Sequence, residues 1–313
     1  MKMTLRQLSV FDCVTRHMSF TKAAESMCLT QPAVSIQIKQ LEEHIGLPLF
    51  EHVGKKLFLT QAGEELKRAC GDIFSRLENL EMALTQMKGV MQGSLRIACV
   101  TSAKYFAPHL LGEFHRQYPE VQMSLMVTNR DQILRRLINN EDDLALMAQV
   151  PDDMKLCSYP ILDNPMIAIA PPGHPLVGQK RIPIEALAEE SFLMREQGSG
   201  SRKAIEDHLR NNGVELSRTM ELGSSETIKQ GVMAGLGLSI LSRHSVALEL
   251  ATGCLKELDV ASFPIIWTWC FVHHQEKKLS PAAQAFLDHV VTHRETVKEL
   301  ICNRFLGAAE VGA

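Results

Sequence analysis

The sequence predicts an α/β protein preceded by a helix-rich, winged helix-turn-helix region and one long linking helix. Three observations carry this. Residues 19–46 read as two short amphipathic helices around a tight turn. Residues 66–91 hold an unbroken apolar heptad seam. From Leu95 onward, strand-like apolar runs alternate with helical patterns, which implies a mostly parallel sheet.

Leu5, Leu8, Phe11 and Val14 form the apolar face of a first helix. Phe20, Ala23, Ala24 and Met27 do the same for a second, with Thr21, Lys22, Glu25 and Ser26 on its polar side. The third begins at Thr30, a good N-cap, with Pro32 in the first turn, where its missing N–H costs nothing. Val34, Ile38, Leu41 and Ile45 form its buried stripe. Gln31, Ser35, Gln37 and Lys39 lie off that stripe. They offer short donors and acceptors and one cation, which suits phosphate oxygens and base edges in a major groove. This is a helix-turn-helix with residues 30–44 as the reading helix. From spacing alone, an ordinary helical hairpin with a solvated polar face fits equally well.

Next, Leu49-Phe50 and Leu57-Phe58-Leu59 predict two short strands about a turn at Gly54, a wing with Lys55 and Lys56 near its tip. Such lysines neutralise phosphates without reading sequence. Leu66, Cys70, Ile73, Leu77, Leu80, Leu84, Met87 and Met91 then alternate at spacings of four and three with no proline between them. A second copy of the chain would bury that seam, so a homodimer through residues 62–92 is expected. Gln92-Gly93-Ser94 reads as the helix end and a hinge.

Beyond it, strands are predicted over 95–100, 121–127, 143–148, 166–170, 191–194, 238–241 and 265–272. Helices are predicted over about 104–117, 132–138, 201–211, 225–234 and 281–293.

The run from Ala23 to Gly63 resembles the N-terminal domain of the LysR-type transcriptional regulators. Ala23-Ala24, Gln31-Pro32-Ala33-Val34-Ser35, Gln37-Ile38, Leu41-Glu42, Leu49-Phe50-Glu51 and Leu59-Thr60-Gln61-Ala62-Gly63 all stand at that family's spacing. Ile36 and His52 depart from it, standing where many members carry Arg. A narrower likeness, over about residues 3–290, is to the Calvin-cycle branch, the CbbR regulators of RuBisCO operons. It is carried by residues 101–108, Arg195-Glu196-Gln197-Gly198-Ser199-Gly200-Ser201-Arg202 and residues 279–287, with Ser201 where Thr is expected.

The resemblance implies a DNA-binding domain over 1–61, a dimerising linker helix over 62–92 and a two-lobed effector domain over 93–295. That domain is periplasmic-binding-protein-like, with lobe I at about 93–162 and 267–295, lobe II at about 163–266, and a tail at 296–313. It also implies a dimer or tetramer on promoter DNA, RNA polymerase as a further partner, and control of carbon-fixation genes. The effector would be a phosphorylated Calvin-cycle metabolite, such as ribulose bisphosphate or phosphoenolpyruvate, or NADPH.

In such a domain, ligands sit at the carboxyl ends of strands near helix N-termini. Thr101, Ser102 and Lys104 follow the first strand, Thr128 and Asn129 the second, and Arg195, Ser199, Gly200, Ser201 and Arg202 precede a helix of lobe II. Free N–H groups, hydroxyls and two arginines would hold a carboxylate or phosphate. Helix capping explains any one segment. Three at equivalent topological positions point to a small anionic effector.

Composition excludes other classes. A hydrophobic fraction of 45%, a charged fraction of 22% and a net charge of −3 describe a globular chain that is not globally basic. Residues 1–60 carry seven Lys/Arg and five Asp/Glu, a small positive excess that permits nucleic-acid binding. The start, MKMTLRQLSV, lacks a signal-peptide core, and no apolar run approaches the ~20 residues needed to span a membrane. The eight cysteines include no CxxC pair, so a reduced cytoplasmic protein without a metal is expected, with Cys99 and Cys157 as buried, inert thiols ahead of redox sensors. No hydrolase elbow, zincin or P-loop motif is present, and Gly235-Leu236-Gly237 lacks the third glycine of a dinucleotide fingerprint. An enzyme is therefore not expected; the alternatives are a LysR-type regulator of another metabolic operon and, in a different class, a solute-binding protein.

Overall fold

The computed structural model describes residues 3–88, 90–295 and 299. The chain forms two compact units, Met1–Glu81 with Asn139–Glu141, and Met82–Ile138 with Asp142–Ala313. The expected C-terminal tail lies, but for Glu299, outside the described residues.

The first unit begins with α1 (Leu5–His17), α2 (Phe20–Ser26) and α3 (Gln31–Ile45). Each start is fixed by a side-chain cap. Thr4 and Gln7 form a reciprocal capping box, Ser19 accepts from the Lys22 N–H, and Thr30 accepts from the Ala33 N–H. Gly46, at φ 81°, ends α3 in the left-handed conformation that glycine adopts without strain. Phe11, Val14, Ala23, Val34 and Leu41 are fully buried where the three helices meet. β1 (Phe50–Val53) and β2 (Lys56–Leu59) form the expected antiparallel hairpin, turned at Gly54, and α4 (Gln61–Gln86) follows.

The heptad seam does not act as one surface. Cys70 is completely buried in this unit's own core, with Leu66, Ile73 and Phe74 packed against that core. The first half of the seam is therefore used within the chain, where burial also pushes the Cys70 thiol up to about 12. The helix ends at Gln86, its last turn closing with a Lys88 N–H to Thr85 carbonyl bond, so Met87 and Met91 lie beyond it. Leu77, Leu80 and Leu84 stay exposed, at 38%, 55% and 52%. They are the part of the seam open to a partner.

The second unit runs β3 (Gly93–Val100), α5 (Ala107–Gln117), β4 (Val121–Thr128), α6 (Arg130–Ile138), β5 (Leu144–Met147) and β6 (Leu156–Ala170). It continues through β7 (Ser191–Arg195), α7 (Gly200–Asn211), β8 (Arg218–Leu222), α8 (Ser225–Met233), β9 (Ser239–Ser242) and α9 (Ala247–Thr252). It ends with β10 (Lys256–Glu257), β11 (Ile265–His274) and α10 (Pro281–Thr292). Gly93 and Ser94 pair with Val121 and Gln122 at the start of β3, so the expected hinge is sheet instead. Residues 103–105 form a separate 3-10 turn, and α5 starts after it with Pro108 in its first turn.

The main sheet is ordered β10-β6-β11-β5-β3-β4, with β9 also on β6. Only β4, β3 and β5 are parallel; β11 runs antiparallel to β5 and β6, and β6 antiparallel to β9 and β10. The three strands that alternate with helices over 95–148 are parallel, as expected, and the addition of β6, β9, β10 and β11 makes the whole sheet mixed. The cause is the two-lobe topology. A chain that crosses to a second lobe and returns needs two crossing strands of opposite direction, and β6 and β11 are these. Pro160 and Pro165 disguise the first half of β6, yet both fall where β11 is its one hydrogen-bonded neighbour, a position that tolerates proline. Lobe I buries Ile97, Phe106, Phe114, Trp269 and Phe286, and lobe II buries Phe192, Met194, Ile205, Leu209 and Ile240.

Candidate functional site

Two surfaces carry the chemistry. On the first unit, α3 buries Val34, Ile38 and Leu41 and turns its other side outward. Gln31, Pro32 and Lys39 are exposed, and Ser35 and Gln37 are half-buried beside them. Gln31 donates from Nε2 to Ser35 Oγ at 2.9 Å. That bond leaves Gln31 one N–H and its carbonyl oxygen, the pair that reads adenine, and leaves the Ser35 hydroxyl proton free to donate. Lys55 and Lys56 are exposed at the hairpin tip. Ile36, which stands where many LysR members carry Arg, is 55% exposed on the same helix.

On the second unit, a cavity lies between the lobes, enclosing ≈ 410 Å³ when its mouth is included. Of the residues expected to bind an effector, it is lined by Thr101, Ser102, Asn129, Ser199, Gly200 and Ser201. Ser199 is the N-cap of α7 but makes no side-chain cap bond, so both its hydroxyl and the first-turn N–H groups of α7 remain available at the cavity. Asn129 is partly committed, capping α6 through the Gln132 N–H at 3.1 Å.

Four expected residues stand elsewhere. Arg195 is 1% exposed, and four of its five side-chain N–H groups are bonded. Its Nε and Nη2 grip Glu196 at 2.7 and 2.8 Å, and its Nη1 donates to Thr101 Oγ1 and Ser225 Oγ. Burial disfavours ionisation of Glu196, but the Arg195 hydrogen bonds and charge outweigh it and hold the carboxyl below its ordinary range. Arg195 thus joins lobe II to lobe I rather than waiting for an anion. Arg202 turns to Glu206, Glu221 and the Arg195 carbonyl, away from the cavity. Lys104 lies over the Tyr105 ring, and Thr128 ends β4 paired with Val100. Tyr105 makes a second tie between the lobes, donating to Glu226 at 3.3 Å beneath Lys229.

The sequence missed Arg130, Gln149, Asn164, Met166 and Trp267, all of which line the cavity. Arg130, directly after Asn129, is the one cation among the described lining residues, and none of these is a carboxylate. Its Nε and Nη2 donate to the Gln149 carbonyl at 3.2 and 3.1 Å, which fixes the guanidinium. Gln149 Oε1, Asn164 Oδ1 and Trp267 Nε1 are buried with no hydrogen-bond partner among the described residues. Unpaired buried polar atoms are costly. Gathered at one cavity, they suit a ligand with both acceptor and donor groups.

Among the described residues there is no cluster suited to a metal ion, and no helix is long and apolar enough to cross a membrane. The described cysteines are free; burial pushes the Cys99 thiol up to about 12, as expected of an inert thiol, whereas Cys157 is only half-buried.

Residues 5–64 match the model of the bacterial regulatory helix-turn-helix protein, lysR family, and residues 88–295 match the LysR substrate binding domain. The chain is 46% identical to the HTH-type transcriptional activator CmpR of Synechocystis over 294 residues, 94% of this chain and 97% of that one. It is 44% identical to a RuBisCO operon transcriptional regulator of Allochromatium vinosum over 292 residues, 93% and 97% of the two chains. Among solved structures, the regulatory domain of Synechocystis CcmR in complex with 2-PG is similar at 45% identity and TM-score 0.63, over 65% of this chain and 98% of that one. The chain belongs to the LysR family of transcriptional regulators.

Proposed function

We propose that this regulator controls a carbon-fixation operon of the RuBisCO type and is switched by a small phosphorylated acid held between its lobes. The cavity lining carries the reading: one fixed guanidinium, the free N-terminus of α7, hydroxyls from Ser102, Ser199 and Ser201, and no carboxylate among the described lining residues. This is a receptor for an anion. One fixed cation beside one free helix N-terminus suits a short phosphorylated acid. 2-Phosphoglycolate, the compound bound by the related CcmR domain, has the matching chemistry. Titration calorimetry of the full chain against 2-phosphoglycolate, ribulose bisphosphate, phosphoenolpyruvate and NADPH tests this. The expected result is saturable binding of one or more of the first three, and no heat from any of them would reject the site.

On the DNA side, α3 lies in a major groove, with Thr30, Gln31, Pro32, Ser35, Gln37 and Lys39 facing bases and phosphates, while Lys55 and Lys56 neutralise a neighbouring strand. Two copies pair through Leu77, Leu80 and Leu84, and RNA polymerase is the downstream partner in a reducing cytoplasm. Effector binding shifts the balance between two arrangements of the lobes, which requires different affinity for each. Leu80→Asp with Leu84→Asp removes four buried leucines per dimer. At about 1.5 kcal/mol or more each, dimer dissociation should rise roughly 10⁴-fold. Sedimentation at micromolar concentration should then show monomers with the effector affinity retained.

A further inference from the structure

We infer that Ile36 reads a thymine 5-methyl group in the operator, and so fixes specificity at one base pair per half-site. The inference rests on the reading that α3 enters a major groove. A lone exposed isoleucine is ordinary on a protein surface. What distinguishes this one is where it stands. It lies on the side of α3 opposite the buried Val34, Ile38 and Leu41, at the middle of the outward face. Pro32, Lys39 and Gln40, its exposed helical neighbours at three and four residues, surround it, and the Gln31–Ser35 pair borders it. Its β-branched side chain lowers helix propensity and, at 55% exposure, adds little to the core, so the fold gives no reason for it.

The major groove offers a branched alkyl group one favourable partner. Each base pair shows donors and acceptors there, and thymine alone adds a methyl. Against a G·C pair the side chain would strip water from O6 and N4 and return no hydrogen bond, so the wrong pair is also rejected. Polar neighbours leave room for this division of labour. Gln31 and Ser35 supply hydrogen bonds and Lys39 supplies charge, while Ile36 supplies the apolar contact.

The test uses the full-length chain and a pool of random duplexes. The wild type selects a duplex, and each thymine in it is replaced in turn by uracil, which removes the methyl group alone. At one position per half-site, wild-type affinity should fall about fourfold, the effect of burying a single methyl-sized group. Ile36→Ala, an exposed substitution whose fold is checked by circular dichroism, should bind the thymine and uracil duplexes equally. Ile36→Arg should instead select guanine at that position. Wild-type affinity that ignores every thymine-to-uracil change overturns the inference. So does an Ile36→Ala variant that keeps the same dependence, because the methyl would then act through DNA shape. If the wild type selects no duplex at all, the groove-reading role of α3 falls first and takes the inference with it.

Discussion

Replacing Arg130 by methionine is expected to weaken 2-phosphoglycolate binding by roughly two orders of magnitude while leaving DNA binding intact. Methionine keeps much of the side-chain volume and removes the charge. The guanidinium is held at the cavity by two hydrogen bonds to the Gln149 carbonyl, so it meets an anion already oriented. Arg130→Lys should recover part of the loss only, because an ammonium cannot hold that carbonyl with two parallel bonds and face the ligand at once. Calorimetry on both variants, with a melting curve to confirm folding, checks this. An affinity unchanged in Arg130→Met would remove Arg130 from the site. Arg202→Ala serves as contrast: its contacts to Glu206 and Glu221 place it outside the cavity, so it should bind effector nearly as well as wild type.

The largest effect on stability is expected from Gly63→Ala. A Cβ at that position would stand 2.2 Å from the Leu49 carbonyl oxygen and 2.8 Å from Leu59 Cδ2. The obstacle is backbone, which cannot rotate away. The same carbonyl accepts from the Thr60 N–H, and Thr60 Oγ1 both caps Gly63 and donates to the Pro48 carbonyl. Moving Leu49 therefore disturbs the start of α4 together with the hairpin. A cost of about 3 kcal/mol or more follows. Because Leu49 belongs to the first unit, the variant should lose DNA binding and show an early unfolding transition, yet still bind effector through the second unit. A single unshifted transition would show that the Leu49 segment gives way more easily than its contacts indicate.

The first unit was legible because its information is local. Caps, helical spacing and a short hairpin name α1, α2, α3 and the wing without reference to distant residues. Where distant residues decide, the sequence misled. Heptad spacing shows that Cys70 is on the same stripe as Leu80, but not that the first unit's own core already buries Cys70. Charge shows that Arg195 and Arg202 could hold an anion, but not that Glu196, Glu206 and Glu221 are folded against them. The cavity was half legible. Residues at helix N-termini follow a positional rule, and Ser102, Ser199, Gly200 and Ser201 obey it. Asn164, Met166 and Trp267 come from the crossing strands β6 and β11, whose meeting depends on topology and leaves no periodic mark. Arg130 was one residue beyond a segment already singled out.

The central claim is that a phosphorylated acid between the lobes changes how the oligomer holds its promoter. Footprinting on the RuBisCO-operon promoter of the source genome, with and without 2-phosphoglycolate, tests it most directly. The expected result is protection over an interrupted inverted repeat whose length or bend-induced hypersensitivity changes with the metabolite, with Arg130→Met giving the protection without the change. Protection that is identical with and without 2-phosphoglycolate, ribulose bisphosphate and phosphoenolpyruvate would contradict it.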